Sequence, residues 1–229
     1  MGDPVLGVDG CSQGWVGIAL VGDRVAGLFA PTISELEADA RKLGEIAVIA
    51  VDMPIGLPDS GARQADALAR RFVGPRSSSV FSTPVRAAVD LDAYELSAQA
   101  HRDLAGVGLT KQAFALRMKI REVDAWLPTA ACRVVEVHPE VSFAELAREP
   151  LAYAKSTWAG AELRRNLLAA AGVVLPSGLG PVGARAGVDD VLDAAVAAWT
   201  ATRVRDGLAR SLPDPPESFS DGIAAAIWR

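Results

Sequence analysis

Cysteine and histidine are both scarce in this chain, which contains two residues of each. The cysteines, Cys11 and Cys132, form neither a CxxC pair nor a Cys/His spacing that would suit zinc. Their number and positions therefore exclude the common structural zinc motifs. We expect both thiols to be reduced and the protein to be cytoplasmic.

Long apolar runs and an excess of positive charge are also missing. No run approaches the roughly 18–20 residues of a membrane span, and the N-terminus lacks the basic and apolar segments of a signal peptide. We therefore expect no membrane partner. The formal net charge of -5 argues against a protein that coats nucleic acid with its whole surface.

Hydrophobic residues, by contrast, make up 50% of the 229 residues, enough for the core of one sizeable domain. Apolar segments bounded by turn residues predict strands at 4–9, 14–21, 24–30, 46–51 and 133–138, with a short last strand at 222–228. The short spacing of the first three predicts an antiparallel meander. The uninterrupted apolar run 46–51 is typical of a strand buried on both faces.

Helices are predicted at 32–43, 62–72, 90–105, 111–127, 140–148, 160–171 and 188–208. Loops are predicted at 74–84 and 176–183, and the proline-rich piece 213-PDPP-216 is expected to end the last helix. A meander joined to parallel strands through helices is the element order of the ribonuclease H-like fold. The expectation is one α/β domain over 1–229, with a mixed five-stranded sheet, flanking helices and a mainly helical insertion at about 60–130.

Acidic residues stand at the ends of three predicted strands, namely Asp9, Asp52 and Glu136. If these strands are parallel neighbours, their carboxyl ends share the sheet edge where open α/β sheets bind ligands. Taken singly, each acid has an ordinary alternative. Asp9 can be a turn residue, Asp52 a loop cap, and Glu136 a solvent-facing residue or the partner of an arginine. All three acids nevertheless end strands that are expected to be parallel neighbours, and this coincidence favours a shared site.

The segment 189-DDVLDAAVAAW-199 adds three acids at the start of a helix. Its apolar stripe follows i, i+3, i+4 spacing, which places Asp189, Asp190 and Asp193 within an arc of about 100° beside that stripe. The alternative is that they only interact with the helix dipole. Which of Asp189 and Asp190 faces the site is open at this point.

Carboxylates held close together repel one another and ionise together only when cations join them. Hard oxygen ligands suit Mg²⁺ or Mn²⁺, and two such ions about 4 Å apart can promote phosphodiester cleavage. The predicted metal ligands are Asp9, Asp52, Asp189, Asp190 and Asp193. The predicted catalytic residues are Asp9, Asp52, Glu136, Asp190 and Asp193.

The span 63–86 contains five arginines and one acid, a local excess of positive charge in an acidic chain. It predicts contacts with the phosphates of a nucleic acid or nucleotide, made by Arg70, Arg71, Arg76 and Arg86. His138 lies two residues from Glu136 on the same strand face, where it can contact substrate or orient water. The alternatives are a solvated helix face for the arginines and a structural role for the histidine.

Five segments resemble the family of domains of unknown function 429 (DUF429): VDGCSQGWV (8–16), VDMPIGLPD (51–59), RSSSVFSTPVR (76–86), EVHPEVSF (136–143) and DDVLDAAVAAWTA (189–201). That family is described as predicted nucleases of the ribonuclease H-like superfamily. The resemblance implies Asp9 and Asp52 as strand acids. It also implies Asp190 and Asp193 as an acidic pair on a helix, as in Holliday-junction resolvases of the superfamily.

The function expected from residues and resemblance together is a Mg²⁺- or Mn²⁺-dependent nuclease that acts by a two-metal mechanism. One alternative is an ATP-dependent phosphotransferase of the actin and sugar-kinase type, because an Asp-Gly turn after the first strand can hold phosphates and Mg²⁺. The other alternative is a non-catalytic module that binds a nucleotide or nucleic acid. Exposed apolar surface on the helical insertion would support a homodimer.

Overall fold

Seven strands form one mixed sheet in the computed structural model of the protein, which describes residues 2–229. They are β1 (Val5–Cys11), β2 (Gly14–Val21), β3 (Arg24–Ala30), β4 (Val48–Val51), β5 (Arg133–Val137), β6 (Ser211–Ser218) and β7 (Ala224–Trp228). The order across the sheet is β3-β2-β1-β4-β5-β7-β6. Strands β1, β2 and β3 pair antiparallel, the pairs β1–β4, β4–β5 and β5–β7 are parallel, and β6 is antiparallel to β7.

The predicted meander, the parallel strands that follow it and the short last strand are confirmed, whereas the count of five strands is wrong. The proline-rich piece at 213–216 lies within β6 rather than in a break after the last helix. A proline cannot donate to a neighbouring strand, so it is tolerated where the N–H side faces outward. Strand β6 meets that condition because it is the edge strand of the sheet, and its register with β7 shifts between Leu212 and Glu217.

The helices are α1 (Ile33–Arg41), α2 (Gln64–Val73), α3 (Arg86–Val89), α4 (Tyr94–Ala105), α5 (Lys111–Ala115), α6 (Arg117–Trp126), α7 (Pro139–Ala147), α8 (Trp158–Ala170), α9 (Pro181–Arg185) and α10 (Val188–Arg205). Two predicted loops contain short helices, a 3₁₀ helix at Gly74–Ser79 and α9. One predicted helix, 111–127, is divided into α5 and α6, and another, 90–105, begins only at Tyr94 with α4. The Thr32 hydroxyl caps α1 by accepting from the Glu35 N–H, and the Thr110 hydroxyl caps α5 by accepting from the Ala113 N–H.

Helix α10 lies directly against the centre of the sheet because both surfaces are made of small residues. Its buried face includes Ala194, Ala197 and Ala198, and it packs over β1, β2 and β4. A Cβ placed on Gly7 of β1 would lie 2.1 Å from the Ala194 carbonyl oxygen and 2.1 Å from the Ala198 nitrogen. The missing side chain at Gly7 therefore sets how closely α10 approaches the sheet.

Four large apolar side chains are exposed on the segment between β4 and β5, namely Leu96, Leu104, Val107 and Met118. Exposed apolar residues of this kind are compatible with a contact between two copies of the chain, and the homodimer stays a prediction. Within residues 2–229, none of the helices combines the length and apolar character needed to span a bilayer.

Candidate metal centre and its cavity

Three aspartates meet at the carboxyl ends of β1 and β4. Asp9 is near the end of β1, Asp52 directly follows β4, and Asp193 is in the second turn of α10. Each offers one carboxylate oxygen, and these oxygens all lie within 4.8 Å of one another. Residues from the beginning, the first quarter and the last fifth of the chain thus form one acidic triad, which is the name used for this group below.

Backbone hydrogen bonds fix the two strand-end members of the acidic triad. The Asp52 N–H donates to the Val8 carbonyl oxygen at 2.9 Å, which extends the parallel pairing of β1 and β4 by one step. The Asp9 Oδ1 accepts from the Gly10 N–H at 2.7 Å. Both carboxylates are therefore carried on rigid, paired backbone at the edge that the strand order predicted.

Burial and mutual repulsion raise the proton affinity of the acidic triad. Burial raises the pKa of Asp9 well above its ordinary value, and the charges of Asp52 and Asp193 raise it further. Burial, followed by the charge of Asp193, likewise raises the pKa of Asp52. Burial raises the pKa of Asp193 to about 6, although the Lys155 ammonium opposes the shift. A cation among the three would stabilise the ionised carboxylates.

The side chain of Asp193 has an unsatisfied oxygen that fits this requirement. Asp193 is 1% exposed, and its Oδ1 has no hydrogen-bond partner among the described residues. Buried polar atoms of this kind are uncommon and require an explanation. Its position beside two further carboxylates, all hard oxygen donors, matches the ligand preference of Mg²⁺ or Mn²⁺.

Lys155 lies in the segment between α7 and α8. Among the contacts of the described residues, its ammonium is the positive charge that comes nearest to the acidic triad. Its Nζ donates to the Asp193 Oδ2 at 2.5 Å and lies 3.8 Å from the Asp189 Oδ2. The charges of Asp193, Asp52 and Asp9 raise the pKa of Lys155, although burial acts in the opposite direction. The ammonium therefore offsets part of the repulsion while leaving the Asp193 Oδ1 free.

The other two helical acids lie at the margin of the site. Asp190 accepts a hydrogen bond from the Gly187 N–H at 3.0 Å, and so caps the start of α10. Its charge still contributes to the raised pKa of Asp9. Asp189 is half-buried and faces Lys155. In the described part of the chain, the close carboxylate group contains Asp193 and neither Asp189 nor Asp190.

The acidic triad opens into a cavity of about 360 Å³. Besides the three aspartates, its walls include Glu136, Glu140, Arg76, His138, Lys155, Ser78 and Ser79. The cavity thus combines carboxylates with two basic side chains and two hydroxyl groups in a small volume. Such a cavity suits a phosphorylated ligand whose phosphate lies between bound cations and basic residues.

Glu136 is held in a buried network rather than left free in this cavity. Its Oε2 accepts from the Ile55 N–H at 2.7 Å and from the Arg63 Nη2 at 2.7 Å. Arg63 also donates to the Thr83 hydroxyl at 3.3 Å, and its Nε lies 3.7 Å from Asp66. Burial raises the pKa of Glu136 to about 7, although Arg63 opposes the shift. The network fixes the wall of the cavity beside the triad.

We expect Arg63→Met to lower the free energy of unfolding by about 3–5 kcal/mol, because it removes one partner of a buried ion pair. Arg63 is 1% exposed and Glu136 is 5% exposed, so water cannot replace the lost contact. Urea denaturation measures the change. Arg71→Met at an exposed position of α2 is the matched control and should change stability by less than about 0.5 kcal/mol. Equal midpoints for the two variants would contradict the importance of the pair.

The residues predicted to contact substrate fall into two groups. Arg76 and His138 line the cavity; Arg76 donates to the Leu151 and Ala152 carbonyl oxygens, and the His138 Nε2 lies 3.3 Å from the Ser79 carbonyl oxygen. Outside the cavity walls, Arg70 bonds the Val80 carbonyl oxygen and the Ser82 hydroxyl. Arg86 pairs with Asp124 and Asp221, and Arg71 is exposed at the end of α2.

Two of the five arginines in the arginine-rich span are therefore neutralised by carboxylates of the fold. Arg63 and Arg86 are engaged with carboxylates, and only Arg76 of the span's arginines lines the cavity. Lys155 and Glu140 are cavity residues that the sequence did not single out. Lys155 is in an irregular segment with no motif around it. Glu140, by contrast, lies two residues after the predicted site residue His138 in the segment EVHPE, and that proximity was a signal for it.

Comparison with known proteins gives one match. The model of a family described as "Protein of unknown function (DUF429)" matches residues 7–218, which is most of the chain and includes all three members of the acidic triad. No curated protein and no solved structure matches.

Proposed function

The chain belongs to the DUF429 family, and we propose that it is a Mg²⁺- or Mn²⁺-dependent phosphodiesterase that cleaves nucleic acid. The observation that supports this most directly is the acidic triad, with oxygens of Asp9, Asp52 and Asp193 within 4.8 Å of one another. Buried carboxylates held this close together repel one another unless a cation lies among them. The buried, unpaired Asp193 Oδ1 adds to this argument.

We further propose that the fold is ribonuclease H-like. An antiparallel β1–β2–β3 meander followed by parallel β4 and β5, in the order β3-β2-β1-β4-β5, supports this assignment. In that arrangement β7 and β6 extend the sheet beyond β5, and the helical segment between β4 and β5 is an insertion. The position of the triad at the carboxyl ends of central strands is where such a sheet binds ligands.

Each residue of the proposed site has a distinct task. Asp9, Asp52 and Asp193 would hold the divalent cation, which when bound activates water and neutralises charge on the phosphate. Lys155 and Arg76, which also line the cavity, would bind the non-bridging phosphate oxygens. Glu136 and Arg63 position the wall beside the triad, and His138 can orient water within the cavity.

The test is cleavage of a labelled panel of single-stranded DNA and RNA, duplex, hybrid and junction substrates with Mg²⁺, Mn²⁺ or EDTA. The proposal expects cleavage with metal, none with EDTA, and loss of activity in the Asp9→Asn variant. Cleavage that is equal in wild type and variant would be contamination and would count against the proposal. A thermal shift produced by ATP with Mg²⁺, without cleavage, would instead support a phosphotransferase.

The effect of metal on stability should depend on pH. In the metal-free fold, Asp9, Asp52 and Asp193 keep their protons to higher pH than in the unfolded chain, Asp193 with a pKa of about 6. Their contribution to stability therefore falls as pH rises from about 4 through about 6. Divalent metal requires the ionised form, so its stabilising effect should be small at pH 5 and large at pH 8.

Thermal unfolding with and without Mn²⁺ measures this difference. At about 100 times the dissociation constant, binding adds about 2.7 kcal/mol, which for a chain of this size raises Tm by about 5–10 °C. Asp9→Asn should show no Mn²⁺ effect at either pH. An equal Mn²⁺ shift at pH 5 and pH 8 would mean that the metal binds elsewhere.

A further inference from the structure

Two exposed aromatic residues, Tyr153 and Trp158, lie in the chain on either side of a short turn that lines the cavity. Ala154, Lys155 and Ser156 line the cavity, and Tyr153 and Trp158 flank them in the chain. Tyr153 is 54% exposed and Trp158 is 81% exposed, the most exposed large hydrophobic residue among those described. Because consecutive Cα atoms are about 3.8 Å apart, the Trp158 Cα lies within about 8 Å of the Ser156 Cα.

Hydrogen bonds hold the backbone of this turn in place. The Thr157 hydroxyl donates to the Ala154 carbonyl oxygen at 2.8 Å and accepts from the Gly160 N–H at 3.1 Å. Arg164, which is fully buried, donates to the Tyr153 carbonyl oxygen at 3.1 Å and the Gly160 carbonyl oxygen at 3.0 Å. Its guanidinium is paired in turn with Glu140.

The size and chemistry of the neighbouring cavity restrict what can occupy it. A volume of about 360 Å³ is at the small end of the range for ligand pockets, enough for one nucleotide but not for a base-paired helix. The Lys155 ammonium and the Arg76 guanidinium provide positive charge for a phosphate, while the adjacent Trp158 ring provides a face for a base. A base that stacks on a protein ring must first be free of its complementary strand.

We propose that this site takes single-stranded nucleic acid, with one nucleotide in the cavity and the base of the next stacked on Trp158 at the rim. The proposal rests on the phosphodiesterase function proposed above and names its substrate class. The Tyr153 ring, on the other side of the turn, offers a second aromatic surface for the nucleic-acid strand. Stacking on aromatic side chains is tolerant of sequence, so binding should depend on strandedness rather than on base identity.

The experiment measures binding of a fluorescein-labelled single-stranded DNA oligonucleotide, its RNA counterpart and the corresponding duplex by fluorescence anisotropy, at one fixed salt concentration in EDTA. Trp158→Ala should weaken single-strand binding by about 5- to 150-fold. Trp158→Phe keeps an aromatic face and should retain most of the affinity. Leu208→Ala removes another exposed apolar side chain, 63% exposed and beyond the end of α10, and should leave binding unchanged.

Three results would overturn the proposal: no binding of either single strand by wild type, tighter binding of the duplex, or unchanged affinity in Trp158→Ala. Because EDTA removes the divalent metal, the measurement is independent of cleavage. Loss of affinity in Trp158→Ala supports stacking of a base on Trp158 even where wild type shows no metal-dependent cleavage. Conversely, cleavage that depends on Asp9, together with unchanged affinity in Trp158→Ala, would exclude stacking on Trp158. The proposed phosphodiesterase function would then stand without it.

Discussion

Asp9→Asn is expected to reduce metal-dependent cleavage by about 100- to 1000-fold, the range lost when one preorganised stabilising group is removed from a catalytic site. Asparagine has nearly the same shape and keeps an oxygen that can accept from the Gly10 N–H, so the turn after β1 is retained. What is lost is the negative charge that a divalent cation requires. Cleavage rates at saturating Mn²⁺ measure the effect.

The same substitution should make the metal-free protein more stable at pH 8, which separates loss of charge from loss of fold. Burial and the charges of Asp52 and Asp193 make ionisation of Asp9 unfavourable, so a neutral amide relieves that cost. Asp23→Asn in the exposed turn between β2 and β3 is the matched control and should change neither cleavage nor stability. Full activity in Asp9→Asn would exclude the acidic triad as the catalytic site.

Gly7→Ala is expected to lower the free energy of unfolding by about 3 kcal/mol or more, an unusually large effect for one added methyl group. The new Cβ would lie 2.1 Å from backbone atoms of both Ala194 and Ala198. Backbone atoms cannot rotate away as a flexible side chain can, so α10 must move as a unit. Because Asp193 is on that helix, its distance from Asp9 and Asp52 must change as well.

Urea denaturation and the Mn²⁺ thermal shift test both parts of this expectation. Gly108→Ala is the control, since a Cβ there meets nothing within 4 Å, and it should change stability by less than about 0.5 kcal/mol. The folded fraction of Gly7→Ala should show a reduced Mn²⁺ shift. Wild-type stability in this variant would mean that α10 is free to separate from β1, contrary to the packing described.

The sequence predicted those parts of the site that follow from regular structure. Asp9 and Asp52 each end an apolar strand, and the parallel pairing of β1 with β4 then places them side by side. Asp193 follows from the helical period of α10, which turns it toward the same edge. Regular geometry therefore put all three among the predicted ligands, together with Asp189 and Asp190, which lie outside the close carboxylate group.

Features that depend on individual packing contacts were not accessible in this way. Lys155 is in an irregular segment, and only the packing of α7 and α8 against α10 brings it to Asp193. The buried pairing of Arg63 with Glu136 removes from the surface an arginine that contributed to the apparent positive span. Similarly, the prolines of β6 obscure a strand whose edge position alone makes it possible.

The distribution of the triad along the chain has a consequence for the synthesis of the protein. Strand β1 leaves the ribosome well before its neighbour α10, because all the elements from β2 to α9 lie between them in the chain. Contacts between such distant segments form late, because the intervening loop must first be ordered. Nascent chains consequently lack Asp193 until α10 has been made, so the proposed metal centre is completed late in synthesis.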